Sequence, residues 1–250
     1  MVSEAWDRAD ARDLAVAAWQ LGRPLAGRVV AVAKRCSYGQ PQVLVTYPLL
    51  HATEHGAARQ NAAQQNAAQQ NAAEQNAAQQ NAVEQNAARQ PGDTGPCCEP
   101  TPEVPPTRAP FPTVFWLTCP YVRSRVASFE SRGMIEDVRR RIREDAQFRL
   151  EYEDANTRYA LLRMGLLDAA DRAVLQMDAQ MDGPGAGVLR VIEESGIGGA
   201  ADWTGVKCLH MNVADFMAGN ANPVGEVCVQ RLTEDGVGPG LECSDGRCVP

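Results

Sequence analysis

The chain reads as an α+β protein: a small antiparallel sheet of about three strands packed with five to seven helices, plus a low-complexity insert. Three observations carry this expectation. β-Branched residues cluster at Arg28 to Arg35, Gln42 to Thr46 and Thr113 to Thr118, each cluster of strand length. Apolar residues recur at three- and four-residue spacing through most of the second half. Between the second and third clusters, Asn61 to Gln90 is six copies of Asn-Ala-Ala-X-Gln, with Val83 replacing one Ala.

In chain order, an Ala/Leu-rich segment from Trp6 to Leu21 predicts a first helix, stopped by Gly22 and Pro24. The first two strands flank Ser37-Tyr38-Gly39-Gln40-Pro41, whose Gly and Pro suit a tight connection, so the two form a hairpin. A period of five advances about 140° per unit around a helix, which leaves the repeat no persistent apolar stripe. Together with the Pro-rich segment Pro91 to Pro110, it is expected to be a solvated or disordered insert. Helical stripes follow at Val122, Val126 and Phe129, at Ile135, Val138 and Ile142, and at Phe148, Tyr152, Tyr159 and Leu162. A further stripe, Leu167, Ala170, Val174, Met177 and Met181, is also assigned to the core and ends at Gly183-Pro184-Gly185. Val188 to Glu194 is a short helix, and Val206, Leu209, Val213, Phe216 and Met217 form a last amphipathic one capped by Thr204. The expected organisation is an N-terminal helix (1–24), one α+β domain (25–50 and 109–232), the insert (51–108) and a flexible tail (233–250).

The apolar fraction of 44% and charged fraction of 22% are ordinary for a folded protein. A net charge of −7 argues against nucleic acid or an anionic membrane surface as the main partner. The first residues carry Glu4, Asp7, Asp10 and Asp13 rather than the basic and apolar runs of a secretory signal. No apolar stretch approaches the roughly 20 residues of a membrane span. A cytoplasmic location is expected, and with it reduced thiols for the eight cysteines.

The chemistry concentrates in those thiols. Cys36 ends the first strand and Cys119 the third, so the hairpin topology delivers both to one sheet edge, one or two strand spacings of about 4.8 Å apart. Thr118-Cys119-Pro120 makes Cys119 a helix N-cap with Pro at the first helical position, where the backbone favours thiolate. Lys207-Cys208-Leu209-His210 stands in the first turns of the last helix. Cys36, Cys119, Cys208 and His210 have the ligand types and number of a tetrahedral zinc site, and Cys36, Cys119 and Cys208 are expected to converge. Against the full set, Cys208 and His210 diverge by about 200° if both lie on an α-helix. Two other readings stay open: Cys119 or Cys208 as a nucleophile with His210 as base, or buried structural cysteines. His51 and His55 at the edge of the insert read as solvated, and Cys243 and Cys248 as loop thiols. Gly183 to Gly187 lacks the preceding strand and following Lys-Ser/Thr of a phosphate loop and reads as a helix terminator. Arg139-Arg140-Arg141 and Arg143, flanked by Glu136, Asp137, Glu144 and Asp145, read as a salt-bridged solvated face.

Lys34-Arg35-Cys36 with Gly39 and Pro41, Pro110-Phe111-Pro112-Thr113 through Thr118-Cys119-Pro120, Gly196-Ile197-Gly198-Gly199, Lys207-Cys208-Leu209-His210 and Asn222-Pro223-Val224-Gly225 together resemble an uncharacterised, mainly actinobacterial family, the domain of unknown function numbered 501. The resemblance spans about residues 10 to 50 and 109 to 228. It implies no established activity, and its gene neighbourhood, beside a septum formation initiator, implies a division-associated partner. Relatives join the second strand to Pro-Phe-Pro-Thr through a short loop, so the repeat is an insertion, and Asn212 stands where relatives carry a second His. The combined expectation is a domain with a Cys/His metal or thiolate site, holding zinc, in a structural or regulatory role in division or envelope physiology. The alternatives are a Cys-dependent enzyme and a metal-free adaptor.

Overall fold

The computed structural model describes residues 6–51, 108–238, 241–243 and 246. The repeat, His55, Cys97, Cys98 and Cys248 lie outside them. The described residues form an α+β fold whose strands are β1 (Asp7–Arg8), β2 (Val29–Arg35), β3 (Pro41–Thr46), β4 (Leu49–His51), β5 (Arg108–Pro110) and β6 (Phe115–Leu117). One antiparallel sheet has the order β1-β2-β3-β6, and β4 pairs with β5 in a separate two-stranded ladder. The expected hairpin and third strand are therefore present. Every residue of β3 is buried because it lies inside the sheet and both sheet faces are covered. Val43 and Val45 face the main core with Ala31 and Phe115, whereas Leu44 faces Val32 and Ala17 on the other side. β2 and β6 both flank β3 and so run parallel to each other, which puts Cys36 and Cys119 at one end of the sheet, two strand spacings apart.

The first helix, α1 (Ala11–Leu21), is shorter than expected. Asp10 and Asp13 form a reciprocal capping box, the Asp10 carboxylate accepting the Asp13 N–H at 2.8 Å and the Asp13 carboxylate accepting the Asp10 N–H at 3.1 Å. That fixes the start at Ala11 and frees Asp7 and Arg8 to join the sheet edge. Gly22, at φ 67°, ends the helix in a left-handed turn that only glycine adopts without strain. The Asp13 carboxylate also takes a bidentate fork from Arg35 at 2.6 and 2.8 Å, tying α1 to the end of β2 beside Cys36.

Seven further helices follow among the described residues: α2 (Pro120–Ser131), α3 (Met134–Glu144), α4 (Ala146–Leu166), α5 (Ala169–Gln180), α6 (Gly185–Glu194), α7 (Leu209–Met217) and α8 (Pro223–Glu234). Val122, Val126, Phe129, Val138, Ile142, Phe148, Tyr152 and Tyr159 are buried in one cluster with the sheet, as their spacing predicted. Within α4, the Tyr159 hydroxyl accepts the Val114 N–H at 2.7 Å. Arg163, wholly buried, donates to the carbonyls of Ile192 at 2.7 Å, Gly196 at 3.2 Å, Pro112 at 3.3 Å and also Ser195. One guanidinium thus anchors the loop that leads into α7.

Four expectations need correction. Met177 and Met181 are exposed, because Asp168 caps α5 at Ala169 and turns a different face, centred on Leu175, inward. Gly185 does not end a helix but starts α6, with Pro184 as its N-cap. Arg108 to Pro110, assigned to the linker, pair with β4 at the neck of the insert, and there His51 lies 3.4 Å from Asp171 rather than simply in solvent. The tail residues Val237 and Leu241 are buried, Gln42 donates to the Leu241 carbonyl at 2.9 Å, and Ser37 donates to Glu242 from both its N–H and its hydroxyl at 2.6 Å. The described part of the tail therefore packs on the β2–β3 turn.

Candidate functional site

The convergence of chemistry lies at the start of α7. This helix begins one turn later than its apolar pattern suggested: the N-cap is Cys208, in extended backbone at φ −154° and ψ 156°, and not Thr204. That single feature removes the geometric objection to Cys208 and His210 acting together, because only His210 is on the helix. Cys208, His210 and Glu130 present ligand-type atoms that all lie within 4.8 Å of one another.

Glu130 arrives from α2, where Cys119, Arg123 and Glu130 stand at positions i, i+4 and i+11, close to one face. Its Oε1 accepts the Leu209 N–H at 2.6 Å, satisfying one of the donors that a helix N-terminus leaves unpaired, and lies 3.1 Å from His210 Nδ1. On the other side of the ring, His210 Nε2 is 3.1 Å from the Arg123 carbonyl oxygen. Carboxylate and carbonyl both only accept, so both ring nitrogens donate and the metal-free ring is an imidazolium. The electrostatics agree. Burial pulls the His210 pKa down, but the hydrogen-bonding partners Cys208 and Glu130 more than offset it and carry it up to about 9. Burial alone would raise Glu130, yet the His210 imidazolium and the Leu209 and His210 N–H groups hold its carboxyl below the ordinary range. Both side chains keep some solvent contact, 23% for Glu130 and 27% for His210.

The other predicted residues lie elsewhere. Cys119 is the N-cap of α2 as expected, with Pro120 at the first position, but burial pushes its thiol up, and Cys243 and Cys36 add to this. The expectation that the helix terminus makes it a thiolate is not met: desolvation outweighs the two backbone N–H contacts from Val122 and Tyr121. Cys36, Cys119 and Cys243 are thus neighbours at one end of the sheet, and neither Cys36 nor Cys119 belongs to the Glu130, Cys208 and His210 group. Cys228 is fully buried and burial pushes its thiol up to about 12, the state of an inert core residue. The arginine run of α3 is ion-paired as expected, through Arg140 to Asp137 at 2.6 Å and Arg143 to Glu136 at 2.9 Å. Arg139 adds a hydrogen bond of 2.7 Å to the Val206 carbonyl, steadying the approach to Cys208.

Asn212 links the two ends of the same helix, its Nδ2 donating to the Cys208 carbonyl at 2.9 Å and its Oδ1 accepting from the network at the other end. Asn222 donates to Asn212 Oδ1 at 3.2 Å and to Asp215 Oδ2 at 2.9 Å, while Asn220 donates to Asp215 Oδ1 at 2.8 Å. Asn222 Oδ1 also accepts the Gly225 N–H at 2.9 Å, capping α8. Asp215 is only 2% exposed, and burial pushes its carboxyl up to about 6.

A pocket of about 280 Å³ opens beside the cluster, lined by Cys208, His210, Arg123 and Arg23 and walled by apolar side chains of α1, β6 and α7. Sequence reasoning missed Glu130, Arg23 and Arg123. The only signal for Glu130 was its place beside the buried Phe129 on the Cys119 face, and for the arginines there was none, because their meeting depends on how α1 docks.

A family described as a protein of unknown function (DUF501) matches residues 32–230, well over half of the chain, and the chain belongs to that family. No curated protein and no solved structure matches it. No helix among the described residues is long and apolar enough to cross a membrane.

Proposed function

We propose that this domain holds one zinc ion between Glu130, Cys208 Sγ and His210 Nδ1, with Cys36 and Cys119 outside the set. The observation that carries the reading is the convergence of the three ligand-type atoms within 4.8 Å, together with the hydrogen bond from His210 Nε2 to the Arg123 carbonyl. A zinc-bound histidine usually donates its second ring N–H to a carbonyl or carboxylate, which fixes its tautomer and aim. Zinc bonds of about 2.0–2.3 Å place tetrahedral ligands about 3.3–3.8 Å apart, close to the separation already held by Glu130 and His210. A mixed thiolate, imidazole and carboxylate set suits zinc better than the harder magnesium or calcium ions. Three protein ligands leave one position open, the pattern of zinc sites that bind an exchangeable group rather than close off the metal.

Metal content of the purified full-length chain tests this. About one zinc per chain is expected in the wild type after exposure to zinc and dialysis, and close to none at this site in Cys208→Ser or His210→Ala. Cobalt substitution should give a thiolate charge-transfer band that Cys208→Ser abolishes. Equal zinc content and an equal cobalt spectrum in wild type and Cys208→Ser would overturn the reading.

One observation favours a second reading, a reactive thiol. Cys208 is the N-cap of α7 and shares a hydrogen bond with the His210 ring, the nucleophile-beside-histidine geometry of thiol chemistry. In that case His210 acts as a fixed charge and not as a base, since both nitrogens already donate. Alkylation of Cys208 faster than the other thiols in metal-free protein, with no zinc bound at equilibrium, would replace the metal reading by this one.

A further inference from the structure

We propose that the pocket beside the cluster binds a dianionic oxyanion of the phosphate class, gripped between the guanidiniums of Arg23 and Arg123. The inference goes beyond the zinc reading and does not depend on it, because neither side chain is a ligand.

The placement of Arg23 starts with Gly22. The left-handed turn at Gly22 ends α1, and the Arg23 N–H folds back to the Ala18 carbonyl at 3.2 Å. This aims the side chain over Trp116, with the guanidinium 5.0 Å from the ring centre. Phe111 also stacks on Trp116, with centroids 5.8 Å apart, which holds the indole in place. Arg123 approaches from α2 and donates one N–H to the Gln20 carbonyl at 3.1 Å. Both side chains line the pocket and are partly buried, and the charge of each is within reach of the other.

Among the described residues, neither Arg23 nor Arg123 forms an ion pair, and no carboxylate lines this pocket. Other described basic residues also lack a carboxylate partner, but Arg163, Arg172 and Lys207 spend their donors on backbone carbonyls instead. Arg35, Arg108, Arg140 and Arg143 all meet a carboxylate within 3.0 Å. Two like charges held together in a partly desolvated pocket repel, and a ligand of charge −2 removes that repulsion. Each guanidinium retains free donors in a planar fork that matches tetrahedral phosphate oxygens. The remaining wall, including Leu21, Phe115 and Met211, is apolar, and a pocket of about 280 Å³ leaves room for a small organic group beyond the anion. The ligand class that follows is a small phosphate monoester.

Isothermal titration of the full-length, metal-free chain with inorganic phosphate, and separately with acetate at the same ionic strength, tests the inference. Saturable phosphate binding is expected, with acetate at least about tenfold weaker and Arg23→Gln weakening phosphate at least about tenfold. Arg23 is partly exposed, so its variant keeps the test valid if Arg123→Gln fails to fold. Absence of saturable phosphate binding, equal binding of acetate, or unchanged binding in Arg23→Gln would each overturn the proposal. Phosphate binding with no zinc retained upholds this inference while the metal reading fails, and zinc binding without phosphate does the reverse.

Discussion

The two ends of α7 carry the same kinds of groups and use them in opposite ways. At the N-terminal end a carboxylate and an imidazole share a hydrogen bond of 3.1 Å, and each keeps the other charged: Glu130 is held below its ordinary range and His210 is raised to about 9. At the C-terminal end Asp215 receives its hydrogen bonds from neutral amides, Asn220 and Asn222, and burial pushes it up to about 6. Burial is therefore not what separates a chemical site from a structural one. An opposite charge within hydrogen-bond reach and some solvent contact of the titrating group do so here. Asp215 has neither, since it is 2% exposed and hydrogen-bonded to amides, although a cavity of about 850 Å³ lined by Ala218, Gly219 and Asn220 lies beside its network.

Breaking the N-terminal end should give the largest effect. His210→Ala is expected to weaken zinc by on the order of 1,000-fold, about 4 kcal/mol, in a competition titration with a chromophoric chelator. Asn222→Ala strikes the other end and should cost about 3 kcal/mol of stability in urea unfolding. It removes the cap of α8, worth about 1 kcal/mol, and leaves Asp215 and Asn212 each short of a buried partner. Zinc binding by the folded fraction should survive, and its loss would show that the two ends are coupled.

The ends also part company in pH. His210 has a folded pKa above its unfolded value of about 6.5, so in metal-free protein its stabilisation is complete below that value and is lost as pH rises towards 9. A loss of about 2 kcal/mol is expected over that window in the wild type and not in His210→Ala, the figure being reduced for the residual exposure of the pair. Asp215 is the reverse of the usual carboxylate. Its folded pKa is raised, so the native state holds the proton more tightly and stability falls as pH rises from about 4 to 6. Wild type compared with Asp215→Asn across that range checks the sign. The smallest effect sharpens the ligand set: Cys36→Ser should change zinc affinity by less than about threefold, roughly 0.6 kcal/mol. A larger change would return Cys36 to the site.

Much of this comparison was legible in the sequence at the level of elements and little of it at the level of partners. The β-branched clusters placed the hairpin and third strand, and Cys119-Pro120 placed the start of α2, because those signals are local. The position of Cys208 was misjudged by one turn, since Val206 and Leu209 fit a helical stripe although the backbone is still extended at the cap. That error made Cys208 and His210 look incompatible. Glu130 was missed for a different reason: a single Glu on an amphipathic helix carries no mark until another helix end is set against it. Its partners are 79 and 80 residues away along the chain.

The β4–β5 ladder has a separate consequence. His51 and Arg108 are Cα partners across it, so the described residues on either side of 52–107 stand at adjacent points. Asp171 then holds both gateposts, with Arg108 at 2.9 Å and His51 at 3.4 Å, and also takes the Tyr47 hydroxyl at 2.7 Å. A junction fastened in this way fixes the span that any segment joining His51 to Arg108 has to close, and for a flexible segment doubling the length costs only about 0.6 kcal/mol in closure entropy. The junction is thus a position where a reporter or a foreign domain is expected to be spliced without disturbing Cys208, His210 or the sheet.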